Sequence, residues 1–353
     1  MGNSIVAIVR YAHPLESVRR AVELCHGLDR VSPHSKVFIK PNIAYWTRAA
    51  RIPKWGVITT SRVVEDMVVL LKERGVDDIT IGEGTVTMDP KDRETPAHAF
   101  ETLGYHLLKE RYGIKSLNTF ERPFRRVDLG KKVVLNFNVD ILESDFVVNL
   151  PVLKTHNQTM VTLGIKNLKG MIDIPSRKRC HSADPKKDLN YMVARLANKM
   201  PPMFTHLDGI YTNERGPAFD GRIRRSNLLV ASTDVLSVDL VGAKVLGYEP
   251  SGVPHLVHAA QDRERPMDLS DVDVVGERIE DVASFHEYDY PYVDNDTLRR
   301  SLAKRGIKGI TTPKFDLSMC TYCAGLNGVM LFAIAQAWKG EPFDNVEILT
   351  GKV

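Results

Sequence analysis

The sequence predicts an α/β protein with two lobes, each built on a mainly parallel sheet flanked by helices. Three observations lead there. Short apolar runs of strand length alternate with longer runs of helical period. Glycine, proline or a capping residue marks the turns between them. The 353 residues are enough for two domains.

Residues 4–9 read as a buried strand, and residues 14–27 as an amphipathic helix with Pro14 in its first turn. Lys36-Val37-Phe38-Ile39-Lys40 is a second strand, ended by Pro41. A loop of about 18 residues follows, a length that suggests function. Thr60 or Ser61 then caps a helix that runs to Arg74 and stops at Gly75. Residues 78–81 form a strand that ends in Gly82-Glu83-Gly84. The middle of the chain repeats the alternation. Strands are expected at 145–150, 204–210, 227–231 and 271–275, and helices at 187–199 and, capped by Asp234, at 234–246. A turn-rich stretch at 280–319 precedes a helix from Cys323 to Lys339 and a short strand at 346–349. The expected division is therefore a lobe over 1–130, a second lobe over 131–279, and a connector with its helix over 280–353.

The balance of 43% hydrophobic and 26% charged residues excludes a disordered or collagen-like chain. A net charge of +4 without a long basic run argues against a nucleic-acid partner. No signal peptide is recognisable, and the apolar segment 328–338 is too short to cross a bilayer. The expectation is a cytosolic protein with no membrane partner. A homodimer is left open. The four cysteines are too few for a disulfide framework in so large a chain. Cys25, in helical register with Val18, Ala21 and Val22, reads as a core residue.

Ligands of open parallel sheets bind beyond the carboxyl ends of the strands, so polar residues that follow apolar strands are the candidates. Lys40 and Asn42 can hold a carboxylate or phosphate. Glu83, between two glycines, is a candidate acid or base. The densest group is Lys154, Thr155 and His156, followed by Gly164-Ile165-Lys166-Asn167-Leu168-Lys169-Gly170 and then Cys180-His181. Consecutive basic loops suit an anion. His156 or His181 suits proton transfer near neutral pH. A solvated basic loop is the plainer alternative. Asp208 can face the same crevice. Asp239, inside an apolar helical run, needs a partner, and a lysine of this group is the candidate. Cys320 and Cys323 open the last helix at metal-ligand spacing. Cys180 and His181 are candidates to complete such a site. Inert thiols and a redox pair are the alternatives.

Lys40-Pro41-Asn42, Gly82-Glu83-Gly84, Pro151 through His156, Lys166 through Gly170, His181, Asp208-Gly209, Gly216-Pro217, Gly221, Asp234 and Asp239 occur in the order of the domain of unknown function 362 family. The chain resembles that family over roughly residues 36–260. The resemblance implies two α/β lobes, a cytosolic and often anaerobic setting, and iron–sulfur chemistry of the 4Fe-4S kind. Some relatives carry a ferredoxin module, which the cysteines here do not reproduce. A second similarity, of order and spacing, is to the lactate racemase family and its nickel-pincer cofactor, with His156 and Lys166 at the matching positions.

The leading functional expectation is an enzyme, an oxidoreductase or isomerase, acting on a small anionic metabolite with the help of a divalent metal or an iron–sulfur cluster. In it Lys40, Asn42, Lys154, Thr155, Asn167, Lys169 and Asp208 bind the anion. His156, Lys166 and Glu83 carry the chemistry. Cys320, Cys323, Cys180 and His181 hold the metal. The alternative is a non-catalytic iron–sulfur accessory or electron carrier serving a redox partner protein.

Overall fold

A computed structural model describes residues 2–44, 46, 48, 54–85, 91–156, 158–182, 184, 186–215, 221–287, 300, 302–311, 318, 330–331 and 333–349. Its centre is one mixed sheet of ten strands. In chain order the strands used below are β1 (Ser4–Arg10), β2 (Val37–Pro41), β3 (Ile79–Glu83), β4 (Lys115–Asn118), β5 (Phe124–Asp128), β6 (Val134–Asn138), β7 (Phe146–Leu150), β8 (Val152–His156), β9 (Met160–Thr162), β10 (Met203–Glu214), β11 (Arg222–Ser232) and β12 (Val272–Gly276). The spatial order is β12-β1-β11-β10-β7-β2-β3-β4, with β8 and β9 added beside the far half of β10. Strands β10, β7, β2, β3 and β4 are parallel neighbours, and β11 runs antiparallel between β10 and β1. The class is α/β, as the alternation of strand and helix predicts. Strands from both sides of the expected boundary at residue 130 enter this sheet, because β2 bonds to β7 along its whole length.

Alternate strand residues feed two cores, one on each face. Val37, Ile39, Ile79, Ile81 and Val148 pack with the helices Glu16–Leu24 and Ser61–Glu73. Phe38, Val147, Leu207 and Val230 pack with the helices Val235–Val245 and Pro254–Asp262. Cys25 is buried in the first core, as its spacing predicts. Among the described residues no helix is long and apolar enough to cross a membrane.

Two carboxylates are placed by the fold differently from the expectation. Asp239 accepts hydrogen bonds from the backbone amides of Gly164 (2.6 Å) and Ile165 (2.9 Å). Its partners are the free N–H groups that begin the short helix Gly164–Asn167, not a lysine. Burial still pushes its pKa up to about 7. Asp208 lies within β10 rather than at its end. It accepts from the amides of Thr60 (2.6 Å) and Ile210 (3.1 Å). The helix Ser61–Glu73 thus begins against a carboxylate from another strand, which suits the positive end of its dipole. Asp234 caps its helix as predicted, accepting from the amide of Ser237 (2.7 Å).

Asp239→Ala should strip two buried amides of their acceptor and destabilise the protein by about 2–4 kcal/mol. Urea unfolding of the variant would measure this, and an unchanged midpoint would show that the amides find other partners.

Candidate active site

The parallel strands β2, β3 and β7 end on one side of the sheet, and the candidate residues gather there. Lys40 follows Phe38 on the same face of β2. Its ammonium donates to Glu83 Oε2 (2.6 Å), to the Pro41 carbonyl (2.7 Å) and to Asn167 Oδ1 (3.2 Å). An ammonium has three hydrogens, and protein oxygens take all three. Glu83 in turn accepts from the amides of Gly84 (2.8 Å) and Ile43 (3.3 Å). Both side chains are buried. Burial holds the Lys40 pKa below the ordinary lysine value, with Glu83 opposing the shift.

The glycine at 170 follows from this pair. A Cβ there would lie 2.2 Å from Glu83 Oε1 and 2.8 Å from Lys40 Nζ, so the turn Leu168–Met171 can close over the ion pair only without a side chain. Arg177 locks the same turn. It donates to the carbonyls of Gly170 (2.6 Å), Gly84 (2.9 Å) and Ile172 (3.1 Å), and its guanidinium lies 4.7 Å from the Phe120 ring centre.

Three amides extend the network. Asn167 accepts from Asn42 Nδ2 (3.2 Å) and donates to Asn149 Oδ1 (2.8 Å). Asn149 donates to the Gly164 carbonyl (3.0 Å). Thr59 joins the loop before the second helix to β7, donating to the Leu150 carbonyl (2.6 Å) and accepting from the Asn42 amide (2.7 Å).

Beyond this polar core lies a group of bases. Lys154, Thr155 and His156 form strand β8 and are buried, rather than looping out after β7. Lys154 Nζ donates to the Val57 carbonyl (2.7 Å) and, weakly, to Asn42 Oδ1 (3.4 Å). Among the described residues it pairs with no carboxylate. Burial and then the charge of Lys40 push its pKa down to about 7. Lys166 is partly buried and has no hydrogen bond or ion pair to any described residue. Its pKa is held well below the usual lysine value, first by burial and then by the charges of Lys169 and Lys154. His156 Nδ1 accepts the Gln158 amide at 3.0 Å. The neutral ring therefore carries its proton on Nε2. Burial and the surrounding lysines keep that ring from charging, with a pKa well below the usual histidine value.

Lys169 Nζ meets His181 Nε2 at 2.6 Å. A charged ammonium can only donate, so Nε2 accepts and the ring proton sits on Nδ1. Cys180 next to it is wholly buried in the core, where burial raises its thiol pKa against the pull of Lys169 and two arginines. A metal at Cys180 and His181 would have to displace the Lys169 ammonium and draw a thiol out of the core. These residues do not fit the metal site expected of them. Cys320 and Cys323 lie outside the described residues. Among the described residues no group of three or more His, Cys, Asp or Glu is placed to hold a metal.

Several residues of the site carry no signal in the sequence. Asn149 reads as part of an apolar strand, and Arg177 as one of a run of surface bases. His255, in the helix Pro254–Asp262, is fully buried, and among the described residues neither ring nitrogen is bonded. Burial and the charge of Lys166 push its pKa down to about 3. Glu214 pairs with Arg222 and Arg224. A cavity of about 320 Å³ lies at the opposite ends of β2 and β3, lined by Lys36, Thr80, Lys115, Arg122 and Asp140. Its Lys115 and Arg122 already pair with Asp78 and Asp140.

Comparison with known proteins places these residues in a family. The sequence pattern of a domain of unknown function, DUF362, matches residues 37–244, which contain every candidate from Lys40 to Asp239. The thylakoid-associated protein sll1697 of Synechocystis is 30% identical over 253 residues, 70% of this chain and 74% of that protein. The lactate racemase apoprotein of Thermoanaerobacterium thermosaccharolyticum aligns with a TM-score of 0.46 and 14% identity. That alignment covers 69% of this chain and 57% of the racemase, so the chain spans little more than half the racemase's length.

Glu83→Gln leaves the Lys40 ammonium buried without a counter-charge, and about 3 kcal/mol of stability should be lost. Lys154 makes a separate prediction through its pH dependence. Its pKa falls from 10.5 unfolded to about 7 folded, so between those values the unfolded chain holds the extra proton. Stability should rise with pH across that window, and the cost of the buried charge should be fully present below it. Lys154→Met removes the term. Denaturant unfolding at pH 7 and pH 9.5 should show the wild type gaining on the variant by ~3 kcal/mol. Parallel curves would place the Lys154 charge in water.

Proposed function

The chain belongs to the DUF362 family, and we propose that it binds a small anionic metabolite and moves a proton on it at the lysine-rich end of the sheet. One observation carries the reading. Lys154, buried, and Lys166, partly buried, lie in a positive cluster where, among the described residues, neither has a carboxylate of its own, since the nearby Glu83 is committed to Lys40. A buried ammonium without a counter-charge is costly. A bound anion supplies that charge.

The roles follow from the hydrogen bonds. Lys40 and Glu83 hold each other and position Asn167, with all three Lys40 hydrogens on protein oxygens and Glu83 also accepting from the Gly84 and Ile43 amides. Lys154 and Lys166 are the anion-binding groups. Lys154, with its pKa pushed down to about 7, also serves as a proton acceptor near neutrality, and the Lys166 pKa is lowered in the same direction. His156, a neutral imidazole among these lysines, is the group assigned to relay the proton. This suits isomerisation or oxidoreduction next to a carboxylate or phosphate. No step is assigned to a metal or an iron–sulfur cluster, because Cys180 is core-packed and His181 is engaged by Lys169. A cytosolic setting is part of the proposal. The thylakoid association in the relative's name belongs to that protein.

Calorimetric titration with malonate and with inorganic phosphate tests the reading. The wild type should bind at least one of them with uptake of a proton, seen as a heat that depends on the buffer. Above pH 7 the affinity should fall, approaching tenfold per pH unit, as Lys154 loses its charge. Lys166→Met should weaken binding by about tenfold or more. Binding that ignores both the pH and the Lys166 substitution would sink the proposal.

A further inference from the structure

The far half of β10 extends past the parallel strands and carries β8 on its edge. In that pairing Asn213 lies opposite Lys154. Paired residues of adjacent parallel strands project to the same face. The surroundings agree. A Cβ on Gly56 would come within 3.5 Å of the Asn213 Cβ, and the carbonyl of the next residue, Val57, takes the Lys154 ammonium at 2.7 Å. On its other side the Asn213 amide lies against Gly221, where a Cβ would sit 2.0 Å from Oδ1. The backbone carbonyl of Asn213 receives Thr155 Oγ1 at 3.4 Å. Asn213 is therefore held in place through its main chain.

Its side chain is not. Asn213 is fully buried, and among the described residues neither Oδ1 nor Nδ2 has a hydrogen-bond partner. Leaving such an amide unpaired is expensive, and a core position of this kind would be better filled by leucine. Lys154 opposite has no carboxylate, and the carboxamide has no partner. One ligand meets both needs if it places a negative oxygen at Lys154 and an uncharged donor–acceptor group at Asn213.

We propose that Asn213 is a specificity-determining residue, selecting anions that carry a carboxamide or hydroxyl beside the charged group. This rests on the anion-site reading above and names its substrate class. A carboxamide or hydroxyl can accept from Nδ2 and donate to Oδ1 at once. A second carboxylate can only accept, and would leave Oδ1 facing a negative oxygen. Gly221 leaves room for the Asn213 amide, and any side chain there would displace it.

Malonate and its half-amide malonamate are the probes. The wild type should prefer malonamate by about tenfold, the worth of one well-placed hydrogen bond pair in a dry site. Asn213→Leu, similar in size and apolar, should abolish that preference while malonate still binds. It should also raise the Tm of the unliganded protein, because an unpaired buried amide is gone. A purely structural amide would behave oppositely: Tm would fall, and the two affinities would fall together with their ratio kept. An unchanged ratio, whatever the Tm, overturns the proposal. If Asn213→Leu does not fold, Asn213→Asp decides. Its carboxylate should pair with Lys154, keep the fold and weaken both probes by more than tenfold, and unaltered binding would overturn the assignment. A wild type that binds malonate but does not favour malonamate removes Asn213 and leaves the anion site standing. A wild type that binds phosphate but neither probe overturns this inference alone, and one that binds none of the three removes the anion site with it.

Discussion

The buried Lys40–Glu83 pair is the interaction on which the rest of the site depends. It joins the ends of two adjacent parallel strands and reaches a third segment through Asn167. Its geometry dictates a glycine at 170, and Arg177 then ties the Gly170 and Gly84 carbonyls over it. A buried ion pair contributes little net stability compared with apolar packing, but breaking it leaves a charge in the interior. What it supplies is definition: it admits one arrangement of the turn that carries Lys169 and directly follows the helix of Lys166.

Once Glu83 is committed, the surrounding cluster is uniformly basic. Lys154, Lys166, Lys169 and two imidazoles share a region where water is scarce, and each raises the cost of charging the next. The same crowding that lowers the lysine pKa values is what the proposed anion would relieve. It also keeps His156 neutral, so its tautomer is decided by the Gln158 amide rather than by solvent. The chemistry proposed for this site follows from the shortage of carboxylates among the described residues of the cluster more than from any single strong contact.

Much of this was legible in the chain. Lys40, Glu83 and Lys154 announce themselves because a polar residue closing an apolar strand has few reasons to be there. The run from Gly164 to Gly170 is legible for the same reason. The roles were less so. Lys40 and Glu83 look like ligand contacts and turn out to satisfy each other. Asp239 invites a lysine and finds two amides. Asn149, Arg177, His255 and Asn213 are invisible, because an amide in a strand, a surface-like arginine and a buried histidine have no spacing that marks them. Burial and orphaned hydrogen-bonding atoms, which single them out, are properties of packing between segments far apart in sequence.

The sequence by itself determined the α/β class, the strands and which polar residues stand at their ends, since these follow from local periodicity and from the chemistry of single residues. The tertiary structure alone decided which charges cancel and which remain. Pairing depends on distances of about 3 Å between residues more than a hundred positions apart, as between Lys40 and Asn167. No local pattern encodes such a distance. It arises when the sheet sets the strand order and the cores on its two faces press the helices into place.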